Sequence, residues 1–112
     1  MVYENKTDWP EKYDINKLVS IQESIDKFIK GEKTSERRND RYADPGDEIL
    51  LDGHLFVVED VYPQQLKNVT EENAREEGYK DLEEYKKALT SIHHGVVWDP
   101  EQVVWAHYLK EK

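Results

Sequence analysis

The sequence contains no cysteine, so disulfide bonds, thiolate catalysis and thiolate metal ligands are excluded. It also lacks any run of roughly 18 consecutive apolar residues, and it therefore predicts no transmembrane helix. The first 14 residues are polar, without the apolar centre or small-residue cleavage site of a signal peptide. We expect a cytoplasmic protein that is not attached to a membrane.

Positive charge is in deficit, with 16 lysines and arginines against 25 acidic residues and a net charge of −9. This balance excludes a protein that coats nucleic acid through general electrostatics, because phosphate binding relies on clustered basic side chains. Walker, Rossmann and serine-elbow motifs are also missing, which removes the common kinases, dehydrogenases and hydrolases. Any nucleic-acid site must therefore be confined to a small part of the protein.

Metal-ligand spacing is absent as well. His93 and His94 are adjacent, His54 and His107 stand alone, and no His-x-x-x-His pattern occurs. The sequence therefore predicts no metal site, and it predicts no cofactor. His93-His94-Gly95 is interpreted as the end of a helix.

The 112 residues, with 37% hydrophobic composition and three tryptophans, suffice for one compact core and not for two. Residues 1–14 mix charge with Trp9 and Pro10 without periodicity, and are predicted to form a flexible N-terminal arm with Trp9 and Tyr13 as anchors. Residues 15–112 are assigned to a single domain.

Turn and cap signals divide that domain into short elements. Helices are predicted from a Ser20–Glu23 capping box to Gly31, from Thr70 to Gly78, and from an Asp81 cap onward. Asp52-Gly53 predicts a β-hairpin, and the apolar segment at 103–109 predicts a last strand. Strands with inserted helices, without regular βαβ alternation, indicate an α+β domain with a mainly antiparallel sheet or barrel.

Basic residues gather in one stretch, residues 27–42. Six of them stand there against three acidic residues, and they are Lys27, Lys30, Lys33, Arg37, Arg38 and Arg41. A charge-rich stretch is more often a solvated surface than a site. In an extended strand, however, Glu36 and Arg38 share a face, and a carboxylate beside a guanidinium makes a polar recognition pair.

Gly31-x-Lys33-x-x-Glu36-x-Arg38 resembles the signature of ASCH domains at all four specified positions. The motif follows a short predicted helix. It precedes Pro45-Gly46-Asp47, a hairpin, and an acidic helix that ends in Glu77-Gly78-Tyr79, and this order is also similar to the family. The resemblance covers roughly residues 18–109 and leaves the arm outside it.

The resemblance implies a small PUA-like, mainly antiparallel β-barrel with short flanking helices, of a type that binds RNA. It implies a cleft lined by Lys33, Glu36 and Arg38, with Gly31 allowing a tight backbone path. Lys33 and Arg38 suit phosphate, Arg37 and Arg41 are also assigned to ligand or RNA binding, and Tyr42 offers a stacking surface. The predicted function is an RNA- or nucleotide-binding module, with RNA or a nucleotide-like molecule as partner and a monomer as the favoured state.

An enzyme is the alternative. Some ASCH proteins remove the acetyl group of acetylcytidine with a lysine, a threonine and a glutamate, and the resemblance assigns Lys33 and Glu77 to the first and last roles. Glu36 occupies the threonine position, and a carboxylate near Lys33 favours its charged form over a catalytic base. We therefore rank binding above an amidohydrolase or nuclease. A third hypothesis has the acidic helices contacting a protein partner.

Overall fold

The computed structural model describes residues 3, 5–92 and 97–112, and it contains both helices and strands. The helices are α1 (Gln22–Lys30), α2 (Glu71–Glu76) and α3 (Leu82–Ile92). The strands are β1 (Ser35–Arg38), β2 (Glu48–Leu51), β3 (His54–Gln65) and β4 (Val103–Glu111). This mixture confirms the predicted α+β class.

The four strands form one sheet in the order β1-β4-β3-β2, and every neighbouring pair is antiparallel. A bulge between Val58 and Asp60 interrupts the long β3–β4 ladder, and such bulges bend a strand. Within the described ranges β1 and β2 do not pair, so the sheet is open. The predicted antiparallel sheet is confirmed, whereas its closure into a barrel is not observed.

The outer edge of β1 shows why the sheet stays open there. The backbone N–H of Arg37 points away from β4 and donates to the side chain of Glu77, at 2.9 Å. A carboxylate thus occupies a position that a neighbouring strand would need. With four residues each, β1 and β2 also offer few ladder hydrogen bonds for closure.

The hairpin between β2 and β3 follows the prediction. Asp52 and Gly53 have φ angles of 49° and 85°, the left-handed values that a two-residue hairpin turn requires. Leu51 pairs with His54 directly across this turn. The Asp-Gly dipeptide was therefore sufficient to predict the hairpin.

Helix α1 ends as predicted but begins differently. Gly31 adopts φ 77° immediately after the last helical turn, which confirms the stop signal. The expected Ser20–Glu23 capping box is wrong, because Ile21 is the N-cap and no side chain caps the helix. The helix starts one residue later than that box requires, so Ser20 lies outside the capping position.

Helices α2 and α3 use the predicted caps. Thr70 and Asn73 form a reciprocal capping box at the start of α2, and Gly78 follows its end with φ 91°. The Asp81 side chain accepts from the Glu84 amide at the start of α3. The predicted end of α3 at His93-His94-Gly95 lies outside the described residues.

Two hydrophobic clusters lie on opposite faces of the sheet. Adjacent β4 residues separate them, since Trp105 joins one cluster and Val104 the other. The first cluster includes α1 and the arm, where the rings of Trp9 and Trp105 meet edge to face at 5.1 Å. The second cluster lies under α2 and α3. No helix in the described ranges is long and apolar enough to cross a membrane.

Candidate functional site

The side chains of β1 alternate between the two faces of the sheet. Ser35 and Arg37 are buried on the face covered by α2 and α3, whereas Glu36 and Arg38 are half-buried on the other. This alternation follows from the period of two in a strand. The prediction that Glu36 and Arg38 share a face is consistent with this pattern.

Lys33 lies in the interior, just before β1. Its side chain is 3% exposed, and Nζ donates to the backbone carbonyl of Glu77 at 2.8 Å. Nζ also lies 3.4 Å from Glu36 Oε2 and 3.9 Å from Glu77 Oε1. Burial lowers the pKa of Lys33, but the carboxylates of Glu77 and Glu36 outweigh it and raise the pKa above the ordinary value. The lysine is therefore a charged internal residue.

Glu77 is the main acceptor of this cluster, and its side chain is 2% exposed. Oε1 accepts from the Arg37 amide, and Oε2 accepts from Arg37 Nη1 and the Ser35 hydroxyl. Since these donors come from residues 42 and 40 positions away in sequence, the contact joins the end of α2 to β1. Glu77 is thus held by the protein on both oxygens.

Arg37 uses all five of its N–H groups within the protein. Nε donates to Gln64, Nη1 to Ser35 and Glu77, and Nη2 to the hydroxyls of Tyr62 and Tyr108. Its guanidinium is 0% exposed. This residue, predicted to contact a ligand, has no donor left to offer one.

Arg38 is half-buried, and some of its N–H groups donate within the protein. Nη1 donates to the carbonyls of Lys17 and Leu18, and Nη2 donates to the hydroxyl of Tyr42 at 3.1 Å. Its guanidinium carbon lies 4.7 Å from the centre of the Tyr42 ring, in cation–π contact. The Nε–H and one Nη2–H have no partner of their own among these bonds, so Arg38 retains donors.

Arg41 and Gly31 lie away from this arrangement. Arg41 donates to Asp44 and to the Pro10 carbonyl, and its guanidinium carbon lies 5.7 Å from the centre of the Trp9 ring. Gly31 ends α1. Both predicted site residues therefore support the fold of the arm and of α1.

A cavity of about 230 Å³ opens beside β1, and we call it the β1 cleft. It lies between the segment that leads into α1, strand β1 with the turn after it, and the residues that follow α2. Its lining comprises Leu18, Ser20, Ile21, Ser24, Glu36, Arg37, Arg38, Asn39, Asp40, Tyr42, Glu77, Tyr79, Tyr85 and Leu89. Glu36, Arg37, Arg38, Tyr42 and Glu77 from the predicted set are brought together here, whereas Gly31, Lys33 and Arg41 are not.

The charges of the β1 cleft balance. Two arginines and three acidic side chains line it, and the ammonium of Lys33 lies behind them. Within this group the residues of the basic stretch leave one positive charge over, and Glu77 from a distant segment balances it. Such a cleft is suited to an uncharged, hydrogen-bonding ligand more than to a bare phosphate.

Among the acidic side chains of the cleft lining, Glu36 is the one whose pKa is shifted towards neutrality. Burial raises the pKa of Glu36 to about 7; Lys33 lowers it and Glu77 adds to the rise. Its side chain is 14% exposed. A carboxyl group in this position changes charge near neutral pH.

Sequence reasoning missed His107, which lies on β4 with no exposed surface. Its Nε2 accepts from the Tyr42 amide at 3.0 Å, and Nδ1 lies 3.1 Å from the Glu36 carbonyl. The imidazole is therefore neutral with the proton on Nδ1. Only its place within an apolar strand could have indicated a buried histidine.

A second missed residue is Lys27, which holds the turn after α2. Its Nζ donates to the Gly78 carbonyl at 2.9 Å and lies 5.4 Å from the centre of the Tyr79 ring. Lys33 lies over the same ring at 5.9 Å. The two lysines thus position the Glu77-Gly78-Tyr79 turn, and no local sequence signal links them to it.

Metal ligands do not gather in the described residues, where no group of three or more His, Asp or Glu side chains is arranged around a common point.

Comparison with solved structures identifies the fold. The crystal structure of an ASCH domain from Lactobacillus crispatus JV V101 matches with a TM-score of 0.66 over 83% of this chain and 75% of that chain. The two sequences are 16% identical, so the match shows the fold alone. No protein-family model matches the sequence, and no curated protein does.

The predicted resemblance to ASCH domains is thus confirmed at the level of the fold. The chain has a fold similar to that of an ASCH domain, with an open antiparallel sheet.

Proposed function

We propose that this protein is a binding module for RNA or a nucleotide-like small molecule, and that the β1 cleft holds one base of the ligand. The observation that carries the proposal is a cleft with tyrosine rings and unshared polar groups in an ASCH-type fold. At about 230 Å³ it is smaller than the roughly 300–1,000 Å³ of pockets for drug-sized molecules. That size suits a single heterocycle.

Stacking supports the proposal. The rings of Tyr42, Tyr79 and Tyr85 line the cleft together with apolar Ile21 and Leu89. An aromatic ring stacked on a base contributes about 1–3 kcal/mol and tolerates any base, since every base has a π-face. The apolar lining would therefore supply most of the affinity.

Polar contacts supply orientation. We assign direct ligand contact to Glu36, Arg38 and Tyr42, with Asn39 beside them. Lys33, Arg37 and Glu77 have a supporting role, because their polar atoms already bond within the protein. Gly31 and Arg41 shape the surrounding backbone and the arm.

Hydrolysis at Lys33 and Glu77 is the second candidate, and its motivation is that these two side chains lie 3.9 Å apart with the Ser35 hydroxyl bonded to Glu77. Binding is favoured over it because both charged groups are almost fully buried and Glu77 is occupied on both oxygens. A general base must reach the proton that it removes. Chromatography of acetylcytidine after incubation with the protein distinguishes the two, since only an enzyme releases cytidine.

Calorimetric titration at about pH 6.5 with a short single-stranded RNA and with nucleosides tests the binding proposal. Ser24 lines the cleft, so Ser24→Trp should fill it and weaken binding at least tenfold. Glu83→Trp places the same ring on an exposed position of α3 outside the cleft and should bind as wild type does. The proposal fails if no probe binds the wild type, or if Ser24→Trp binds as tightly.

A further inference from the structure

One ammonium lies between two carboxyl groups behind the β1 cleft. Lys33 Nζ is 3.4 Å from Glu36 Oε2 and 3.9 Å from Glu77 Oε1, and all three side chains are largely buried. Arg37 Nη1 also pairs with Glu77 Oε2, at 3.1 Å, so the two carboxyl groups are not equally compensated. The less stabilised carboxylate is the one that takes up a proton more readily.

The hydrogen bonds that each carboxylate accepts decide whether Glu36 or Glu77 takes up the proton. Glu77 accepts three hydrogen bonds, from the Ser35 hydroxyl, the Arg37 amide and Arg37 Nη1. Hydrogen bonds of this kind stabilise the ionised form. Among the described residues, Glu36 has only Lys33 as a partner for its carboxyl group, and that contact uses Oε2. Its Oε1 therefore stays available at the lining of the cleft.

We propose, given that the β1 cleft is the ligand site, that Glu36 determines specificity there by binding as a neutral carboxylic acid. Its O–H donates to a ring nitrogen or carbonyl oxygen of an uncharged heterocycle. A carboxylate in the same place has no proton to give and would repel such an acceptor. Ligand binding is thereby linked to uptake of one proton.

The pKa of Glu36 is consistent with a neutral carboxylic acid in this position, because burial raises it to about 7. The charged and titratable groups around it are Arg38 on its own strand, Lys33 before that strand, Glu77 and Tyr79 after α2, Tyr85 on α3, and His107, whose ring bonds the Glu36 carbonyl. Arg37 and Asp40 line the same cleft.

Four of these neighbours do not change charge between about pH 6 and pH 8.5. The pKa values of Lys33, Tyr79 and Tyr85 are raised above their ordinary high values, and burial lowers the pKa of His107 to about 4. Glu36 is therefore the group whose protonation changes the cleft in this range.

Titration of cytidine and adenosine at about pH 6.0 and pH 8.5 tests the proposal, since neither nucleoside titrates in that interval. With a pKa of about 7, Glu36 is mostly the acid at the lower pH and only a few per cent acid at the higher. The apparent affinity should therefore be about 30-fold greater at pH 6.0. At pH 8.5, where Glu36 is ionised and the charges of the cleft balance, cytidine 5′-monophosphate should bind no more tightly than cytidine.

Variants of Glu36 distinguish the effect of its protonation on binding from the effect of its size and shape. Glu36→Gln keeps a hydrogen-bond donor but cannot titrate, so its affinity should be the same at both pH values. Glu36→Ala should lose binding at both. Asp40→Asn removes another carboxyl group of the cleft lining and should keep the 30-fold pH effect.

The outcomes distinguish this inference from the proposed function. Binding of nucleosides or RNA that does not vary with pH in the wild type, or that varies equally in Glu36→Gln, overturns the neutral-acid role and leaves the binding module standing. If no nucleoside or RNA binds at either pH, the proposed function itself fails.

Discussion

His107 shows how one buried side chain can organise a site that it does not line. Its ring accepts from the Tyr42 amide and bonds the Glu36 carbonyl, so it ties β4 to both ends of the segment that borders the β1 cleft. Burial lowers the pKa of His107 to about 4. Since the imidazolium would lose the Nε2 acceptor, protonation would break the contact to Tyr42.

His107 predicts acid sensitivity. The unfolded chain binds a proton on this histidine below about pH 6.5, whereas the folded protein resists it until about pH 4, so stability falls as the pH is lowered through that window. Between pH 7 and pH 4, the free energy of unfolding of the wild type should fall by about 3 kcal/mol more than that of His107→Gln. Urea unfolding measures both.

Measurements between pH 7 and pH 8 provide the control for the histidine. Both forms of the protein have a neutral side chain there, so the difference in unfolding free energy should be constant. Parallel stability profiles from pH 7 down to pH 4 would contradict the assigned role of His107.

At the scale of elements, the turn from α2 to α3 carries the most strongly constrained backbone near the site. Gly78 has φ 91°, and a Cβ placed there would lie 3.1 Å from Lys27 Cδ and 3.4 Å from Lys33 Cβ. Both lysines hold this turn, through the carbonyls of Gly78 and Glu77. A side chain at position 78 therefore disturbs the backbone angle and the lysine contacts together.

Gly78→Ala should destabilise the protein by more than Gly46→Ala does. Each substitution places an L-residue at positive φ, at a cost of about 1–2 kcal/mol. Gly46 has no atom within 4 Å of an added Cβ, whereas the Gly78 variant must also shift Lys27 Cδ by a few tenths of an ångström. This shift should weaken the hydrogen bond from Lys27 Nζ to the Gly78 carbonyl, and such a bond contributes about 0.5–1.5 kcal/mol. Thermal unfolding of the two variants measures the difference in stability. Equal losses of stability would show that the contact with Lys27 does not matter at position 78.

At the scale of the whole molecule, the described part of the arm packs against the domain. Trp9 and Tyr3 contact the ring of Trp105 at 5.1 and 5.2 Å, and the Tyr13 amide donates to the Arg41 carbonyl. None of the described arm residues from 3 to 14 lines the β1 cleft. The arm therefore stabilises the face of the sheet that carries Trp105 without covering the proposed ligand site.

Trp9→Ala should lower the free energy of unfolding by about 2 kcal/mol, less than the cost of removing a fully buried tryptophan, because Trp9 is half-buried. Tyr13→Ala, at a position 56% exposed in the same arm, is the matched control and should cost less. Urea unfolding measures both. Affinity in the binding assays should not change in Trp9→Ala, and a loss of ligand in that variant would show that the arm contributes to the site.

Local sequence signals predicted most of the elements, because they act within a few residues. Gly31, Asp52-Gly53, the Thr70 cap and Gly78 each occupy the backbone position expected of them. The Ser20 capping box failed, since a one-residue shift of a helix start changes little energetically and the pattern alone does not decide it.

The sequence alone determined the α+β class, the turns and the ASCH-type resemblance, because glycine and aspartate at turn positions restrict the backbone wherever the rest of the chain lies. Only the tertiary structure decided that Lys33 and Arg37 are interior and that Glu77 binds both Lys33 and Arg37. Glu77 lies 44 residues from Lys33 in sequence, and its hydrogen bonds, together with burial, set the charges of the whole cluster. Protonation and exposure depend on neighbours brought together by folding, so no local pattern could have settled them.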